Sequence, residues 1–308
     1  MTAKATITDR DGASSVEWPT ALLAAAIYAA WAALTYWHGA VPIWLLVPLG
    51  GWLVAWQSSL QHEIVHGHFT PWPWLNRAVA DAPLMLWMPY GRYRVTHLLH
   101  HRNELLTLPV IDPESRYWRA QDLAALGPVG RALAGAETTM LGRVTVGAVW
   151  VPLRFMWCEA RAIAAGDRAI ARTWLDYLPG LALMLAWVVL VCGMSPALYI
   201  LAFVLPGTAL MLIRSFAEHR AVPDIDRRTA IVENSPVFGL LYLHNNLHAT
   251  HHLDPGLAWY RLPAFHRQVR AQLEKDGVIF YRGYAEVFRR YFLKSHDRLL
   301  HPFADALI

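Results

Sequence analysis

The sequence predicts an all-α integral membrane protein, with four transmembrane helices in two hairpins and a helical cap on one side of the membrane. Three observations carry this expectation. Four runs of eighteen to twenty residues are apolar and nearly free of charge. All 27 basic residues lie outside those runs and outside the turns within each pair. Hydrophobic residues make up 56% of the chain and charged residues only 16%, against about 25% in a soluble domain. The 15 tryptophans agree, because indole favours the membrane–water interface.

In order, residues 1–18 are mixed and polar and read as a loose tail. No cleavable signal is evident, since the first apolar run is too long for one. Pro19 to Trp37 carries no charge, and nineteen residues at about 1.5 Å each span roughly the hydrocarbon core. A short turn from His38 to Pro42 leads to Ile43–Leu60, so that residues 19–60 form the first hairpin. Its second helix runs directly into Gln61-His62-Glu63. Residues 69–95 are rich in Trp and Pro but interrupted by Arg77 and Asp81. They suit an interfacial or partly dipping segment, or a hydrophobic loop packed on the cap. Residues 102–137 are polar and turn-rich, with Asp112-Pro113-Glu114 among them, and 138–157 carry Arg143 and Arg154 in an otherwise apolar surface helix. Leu175–Met194 and Pro196–Ile213 form the second hairpin, within residues 173–213. The cap is then read from residues 61–172 and 214–308, the latter ending in a basic helical tail from Pro255. Together these segments form one membrane-embedded domain over residues 1–308.

Charge sets the expected orientation. The N-terminal tail holds two Lys or Arg, residues 61–172 twelve and residues 214–308 thirteen. An even number of spans puts these segments on one side, and the positive-inside rule makes that side cytoplasmic. Every histidine except His38 falls there too.

The histidines are patterned. His97-Leu98-Leu99-His100-His101 places three imidazoles at i, i+3 and i+4, the shared face of a helix. The spacing recurs in His248-Ala249-Thr250-His251-His252, and His62-Glu63-Ile64-Val65-His66 puts two at i and i+4. A lone histidine is usually a satisfied core or surface residue; two HxxHH boxes and one HxxxH box in one chain point instead to metal ligation. Eight imidazoles exceed the needs of one four-coordinate zinc and suit two metals, with iron compatible with such a donor set. His219, just past the fourth span, is a ninth candidate. His68 and His244 are weaker ones. Glu63, Glu218, Asn245, Asn246, Asp112 and Asp254 lie beside the boxes and could orient ligands, Glu218 foremost.

Two other classes match part of the pattern. HEIVH also matches HExxH, the zinc hydrolase motif, with Glu63 as general base, but that reading leaves both HxxHH boxes unexplained. A metal transporter would carry ionisable ligands within its spans, where only Asp176 comes near one. The two cysteines, Cys158 and Cys192, exclude a disulfide framework and the usual four-cysteine iron–sulfur cluster.

Over Gln61 to Pro263 the boxes His62-x-x-x-His66, His97-x-x-His100-His101 and His248-x-x-His251-His252, with Glu218-His219 between the last two, resemble the membrane fatty acid desaturase family. The stretch Asp254-Pro255-Gly256-Leu257-Ala258-Trp259-Tyr260-Arg261-Leu262-Pro263 also resembles that family's ending. HEIVHGH and RSFAEHR are similar to the small bacterial branch that includes dihydrorhizobitoxine desaturase. Glu63 replaces the commoner aspartate of the first box, and His244 is additional. The resemblance implies a di-iron centre held by the nine histidines, with dioxygen as co-substrate. The implied reaction removes two hydrogens from neighbouring carbons of an acyl chain; hydroxylases share the same boxes. It further implies an external electron donor, of ferredoxin or cytochrome type. The basic cap would receive it near Arg92, Arg94 and Arg102, unless these arginines instead meet anionic lipid headgroups. It implies no nucleic-acid partner.

Overall fold

The computed structural model describes residues 13–102 and 106–303. Most of the expected N-terminal tail, three residues of the polar stretch after the second box and the last five of the C-terminal tail lie outside the described residues. The described residues are 65% helix and 3% strand. Its elements are α1 (Trp18–Tyr36), α2 (Ile43–Val65), α3 (Pro73–Ala80), α4 (Tyr90–His100), α5 (Ala120–Ala125), α6 (Pro128–Ala136), α7 (Met140–Val144), α8 (Val146–Ala164), α9 (Arg168–Ala186), α10 (Pro196–Tyr199), α11 (Leu205–Glu218), β1 (Ala230–Val232), α12 (Pro236–Leu241), α13 (His248–Leu253), α14 (Leu262–Lys275), β2 (Ile279–Tyr281) and α15 (Tyr284–Tyr291). Two compact units divide the described residues, one of residues 13–94 with 148–211, the other of residues 95–147 with 212–303.

Among the described residues, four helical stretches are long and apolar enough to cross a membrane: Trp18–Tyr36, Ile43–Val65, Arg168–Val191 and Pro196–Glu218. The third begins seven residues before the apolar run, because Asp167 caps it by accepting the N–H groups of Ala169 and Ile170, both at 3.0 Å. The fourth runs five residues past its apolar run, carrying Arg214 and Glu218 as an i,i+4 ion pair at 2.9 Å. Between them π-helical turns, Trp187–Val191 and Ile200–Val204, flank the short connector. Leu183 is 75% and Leu190 80% exposed, an apolar surface that water would penalise and lipid accepts.

The first unit is held by close backbone approach rather than by bulk. A Cβ on Gly50 would lie 2.5 Å from the Ala202 carbonyl, and one on Gly51 2.7 Å from Pro206 Cβ. From the other side, a Cβ on Gly207 would meet Val54 at 2.6 Å. Small residues at such a crossing let helices pack where lipid removes the hydrophobic driving force. Leu46, Val54, Met184, Val188, Tyr199 and Phe203 fill the core around it.

Residues 81–89, in the Trp/Pro-rich stretch, are non-helical and buried or half-buried in this unit, and side chains supply donors to three of their carbonyls and to two just before them. Gln61 Nε2 donates to Ala80 O at 2.8 Å and Gln57 Nε2 to Ala82 O at 3.0 Å. The hydroxyls of Tyr28, Tyr199 and Tyr177 donate to Val79, Leu84 and Leu86 at 2.5, 2.9 and 2.9 Å. Leu84 and Met85 lie in the same core as the spans. The segment therefore packs among the membrane helices, not as a loop on the cap. On α4, Arg92 is turned onto Glu159 through two hydrogen bonds of 2.7 and 2.9 Å. This removes Arg92 from the expected donor-docking trio, because its guanidinium is spent on an internal carboxylate; Arg94 and Arg102 are exposed.

The second unit departs from the expected helical tail. β2 comes from that tail and pairs in parallel with β1, in the register Ala230↔Ile279 to Val232↔Tyr281. Ile231, Leu247, Ala249, Leu262, Leu273 and Val278 form a small core there, which seats α13 against α14 and β1.

Gly50→Leu should lower the thermal unfolding midpoint of detergent-purified protein by an amount equivalent to about 1–3 kcal/mol of overpacking. Gly39→Ala, with nothing within 4 Å of its Cβ, should leave the midpoint unchanged.

Candidate metal centre

The second box sits at the end of α4. His97 and His100 share its inner face, and the N–H of His101 continues the helix onto His97 O at 3.0 Å. The third box is α13 itself. It follows a tight turn in which Leu243 and His244 take positive φ of 50° and 60°. His219 follows the last residue of α11.

These elements bring together four histidines whose ligand atoms all lie within 4.8 Å of one another: His100, His219, His248 and His252. His219 Nε2 is 2.9 Å from His100 Nε2 and 2.9 Å from His248 Nε2, and His252 Nε2 is 3.2 Å from His248 Nε2. A second convergence joins His97, His101 and His251, with Nε2–Nε2 separations of 3.0 and 3.3 Å along the series. Adjacent members, His100 with His101 and His251 with His252, hold their rings 5.8 and 5.9 Å apart, so each box contributes to both groups. His101 stacks on His252 at 4.3 Å between ring centres. In the first unit, His62 and His66 lie together at the end of α2 with rings 5.0 Å apart.

The outward nitrogens explain why the inward ones are bare. His100 Nδ1–H donates to Asp112 Oδ1 at 2.9 Å and His97 Nδ1–H to Glu114 Oε1 at 2.8 Å. His248 Nδ1–H donates to Asn245 Oδ1 at 2.9 Å, and that of His219 to the Arg228 carbonyl at 3.3 Å. A neutral imidazole with its proton on Nδ1 presents a lone pair at Nε2. Lone pairs 2.9–3.3 Å apart repel one another, but they are the separations expected of nitrogens sharing a cation at about 2.0–2.1 Å. The donor set therefore fits metal ions at both groups.

The electrostatics agree. Burial holds His219, His248 and His252 well below the usual imidazole range, with neighbouring histidines adding to the effect, so they stay neutral and able to ligate. Burial also lowers His97, against the pull of Glu114. His100 goes the other way. Burial alone would lower it, but the carboxylates of Glu114 and Asp112 outweigh that and raise it to about 9. The field that favours a proton on His100 equally favours a metal cation.

Of the residues expected to orient ligands, Asp112 and Asn245 do so directly. Asp112 also accepts the N–H groups of Thr107 (2.8 Å) and Glu114 (2.9 Å), which closes the loop around its own carboxylate. Glu218 Oε1 lies 3.5 Å from His248 Nδ1 and 2.9 Å from Arg214 Nε. Asn246 instead serves backbone, donating to Val232 O at 2.7 Å. Glu63 approaches His68 at 3.9 Å. His68 pairs with Glu17 at 2.7 Å, and His244 stacks on Trp259; neither belongs to a histidine group described here. Glu114 and Arg228 were missed. Glu114 was visible only as part of a turn motif, and a backbone carbonyl such as that of Arg228 leaves no side-chain signal.

The sequence matches the family model for fatty acid desaturase over residues 35–284. The chain belongs to the fatty acid desaturase family, and is thus an oxidoreductase of desaturase or related oxygenase type. Membership together with the four apolar helices makes it an integral membrane protein. No curated protein matches the chain.

Asp112→Ala should weaken metal binding by about 10- to 100-fold, because His100 loses the carboxylate that sets its tautomer. Metal titration followed by equilibrium dialysis measures this, and unchanged affinity would contradict the assigned role.

Proposed function

We propose that the protein is an oxygen-dependent di-iron desaturase that introduces a carbon–carbon double bond into an acyl chain, whether an acyl lipid or a related substrate. The observation that carries the reading is the paired convergence of imidazole Nε2 atoms, with the Nδ1–H groups of His97, His100, His219 and His248 spent outward. Family membership supports it over the HExxH hydrolase reading, which uses the first box alone.

In this reading His100, His219, His248 and His252 hold one iron, and His97, His101 and His251 belong to the other. His62 and His66 complete that second set on their motif spacing alone. When bound, the irons supply the reduction of dioxygen and the oxidising power to break an unactivated C–H bond. The protein's own part is to keep the imidazoles aimed and dry. Asp112, Glu114, Asn245 and the Arg228 carbonyl fix the tautomers, and burial excludes bulk water from the nitrogens. Dioxygen takes four electrons and four protons to become two waters. Two of each come from the neighbouring carbons that become the double bond, and two of each from outside. Having only two cysteines, the chain lacks the thiolates for a usual cluster of its own, which supports a separate ferredoxin or cytochrome-type donor. Exposed Arg94 and Arg102 suit its docking, and donor-driven turnover should then fall with added salt. The distribution of Lys and Arg supports a cytoplasmic location for both termini and the boxes, and the resemblance of HEIVHGH and RSFAEHR to a bacterial branch favours a bacterial inner membrane.

Hydroxylation uses the same donor set, so product analysis decides between a double bond and an alcohol. Purified protein should contain about two irons per chain. His100→Ala and His252→Ala should each lose metal and abolish turnover. Normal turnover in either variant would remove these residues from the ligand set. A single zinc that survives His100→Ala would favour the hydrolase.

A further inference from the structure

His219 is the one member of the four-histidine group that no box helix carries. α11 ends at Glu218, so the helical periodicity that aims His100, His248 and His252 stops short of it. Other residues fix its backbone. Arg116 Nη1 donates to Phe216 O at 2.6 Å and Arg116 Nη2 to His219 O at 2.7 Å. Carbonyls at a helix C-terminus lack intrahelical partners, and the forked guanidinium supplies two at once. The next residue, Tyr117, accepts the Ala221 N–H on its hydroxyl at 2.8 Å. One dipeptide thus grips the chain on both sides of His219.

Arg116 is itself anchored from the far end of the sequence. Its guanidinium pairs with the Asp297 carboxylate and contacts His296 Nδ1 at 2.8 Å. It also lies 5.5 Å from the centre of the Phe216 ring. Asp297 takes Arg220 Nε as well, at 3.0 Å. The segment bearing Asp297 is fixed in turn, with the His296 N–H on Thr138 O at 2.8 Å and His296 Nε2 2.9 Å from the Tyr281 hydroxyl. The side chains of Arg116 and Asp297 are 16% and 11% exposed, so solvent competes little for the pair.

We propose that Arg116, anchored by Asp297, is a positioning residue for His219, holding the backbone that presents this imidazole to His100 and His248. The inference rests on the reading of His219 as a metal ligand. Its consequence is selective. Loss of the clamp loosens the metal held by His100, His219, His248 and His252. The convergence of His97, His101 and His251 does not use Arg116.

The test is cobalt(II) titration of full-length protein in detergent, read by metal stoichiometry and by the visible d–d bands, which report the ligand field. The variants are Arg116→Gln, Arg116→Lys, Asp297→Asn and Asp297→Glu, with Arg220→Ala as comparator. Wild type should take up about two cobalt ions per chain. Arg116→Gln and Asp297→Asn should keep one ion at wild-type affinity, bind the other about tenfold or more weakly, and lose part of the visible spectrum. Arg116→Lys, which keeps the charge but not the fork, should behave like Arg116→Gln. Asp297→Glu should restore binding, and Arg220→Ala, which leaves both hydrogen bonds from Arg116 to the Phe216 and His219 carbonyls in place, should leave it unchanged. Wild-type affinity and spectrum in Arg116→Gln or Asp297→Asn would overturn the proposal. Should the Arg116 variants fail to fold, Asp297→Asn against Asp297→Glu decides alone. Two tightly bound ions in His219→Ala would instead overturn the ligand reading, and the inference would fall with it.

Discussion

Converging imidazole nitrogens in a dry interior are tolerable only on two conditions: each ring must be held in one tautomer, and a cation must answer the lone pairs. Most of the second unit's detailed structure serves the first condition. The Asp112 loop closes on itself through Thr107 and Glu114 and still has an oxygen for His100. Thr107 and Val110 take positive φ of 67° and 75° in that loop, conformations that cost β-branched residues about 1–3 kcal/mol each. Strain of that size is accepted where the surroundings over-determine the geometry, as Asp112 does. The small core beneath α13 acts in the same direction. It gives a six-residue helix, too short to be stable alone, a fixed seat from which His248, His251 and His252 project.

The first unit answers a different constraint. Backbone polar groups within a membrane need partners supplied by the protein. Its four long helices satisfy that internally. The non-helical stretch from Asp81 to Pro89 does not, and buried Gln57, Gln61, Tyr177 and Tyr199, with half-buried Tyr28, meet three of its carbonyls and two just before it. Polar residues inside apolar helices thus have a structural duty here. Gln61 sits directly before the first box, so the residue that ties down the non-helical segment adjoins the residue that begins the histidine pattern.

What was legible in the sequence was local pattern. The spans showed as uncharged apolar runs of bilayer length, their hairpin pairing as short turns, and the box histidines as a repeat at helical spacing, and none of these needs knowledge of tertiary contacts. Element ends were less legible. Arg168 and Arg172 reads as a break in hydropathy, yet the helix continues through them because Asp167 caps its start. Arg214 and Glu218 looked like the end of the fourth span but neutralise each other one turn apart. The strand β2 was not visible, because three residues, Ile279-Phe280-Tyr281, carry too little pattern to stand against a basic helical background. Arg92 read as a surface charge because Glu159, its partner, lies 67 positions away.

The support of the site divides along the same line. Histidines carried on helices advertise themselves by spacing. His219, and the groups that orient the others, are placed by loops whose geometry depends on contacts distant in sequence: Arg116 with Asp297, Arg228 with the Leu106 carbonyl at 2.8 Å, Asp112 with its own loop. A residue such as Arg116 has no motif, since its role is defined by two main-chain oxygens and one remote carboxylate. The box pattern therefore describes which atoms bind, while the precision of binding resides in residues that no local pattern marks. Reactions that cleave one particular C–H bond depend on that precision, because an error of about 1 Å in placement costs orders of magnitude in rate.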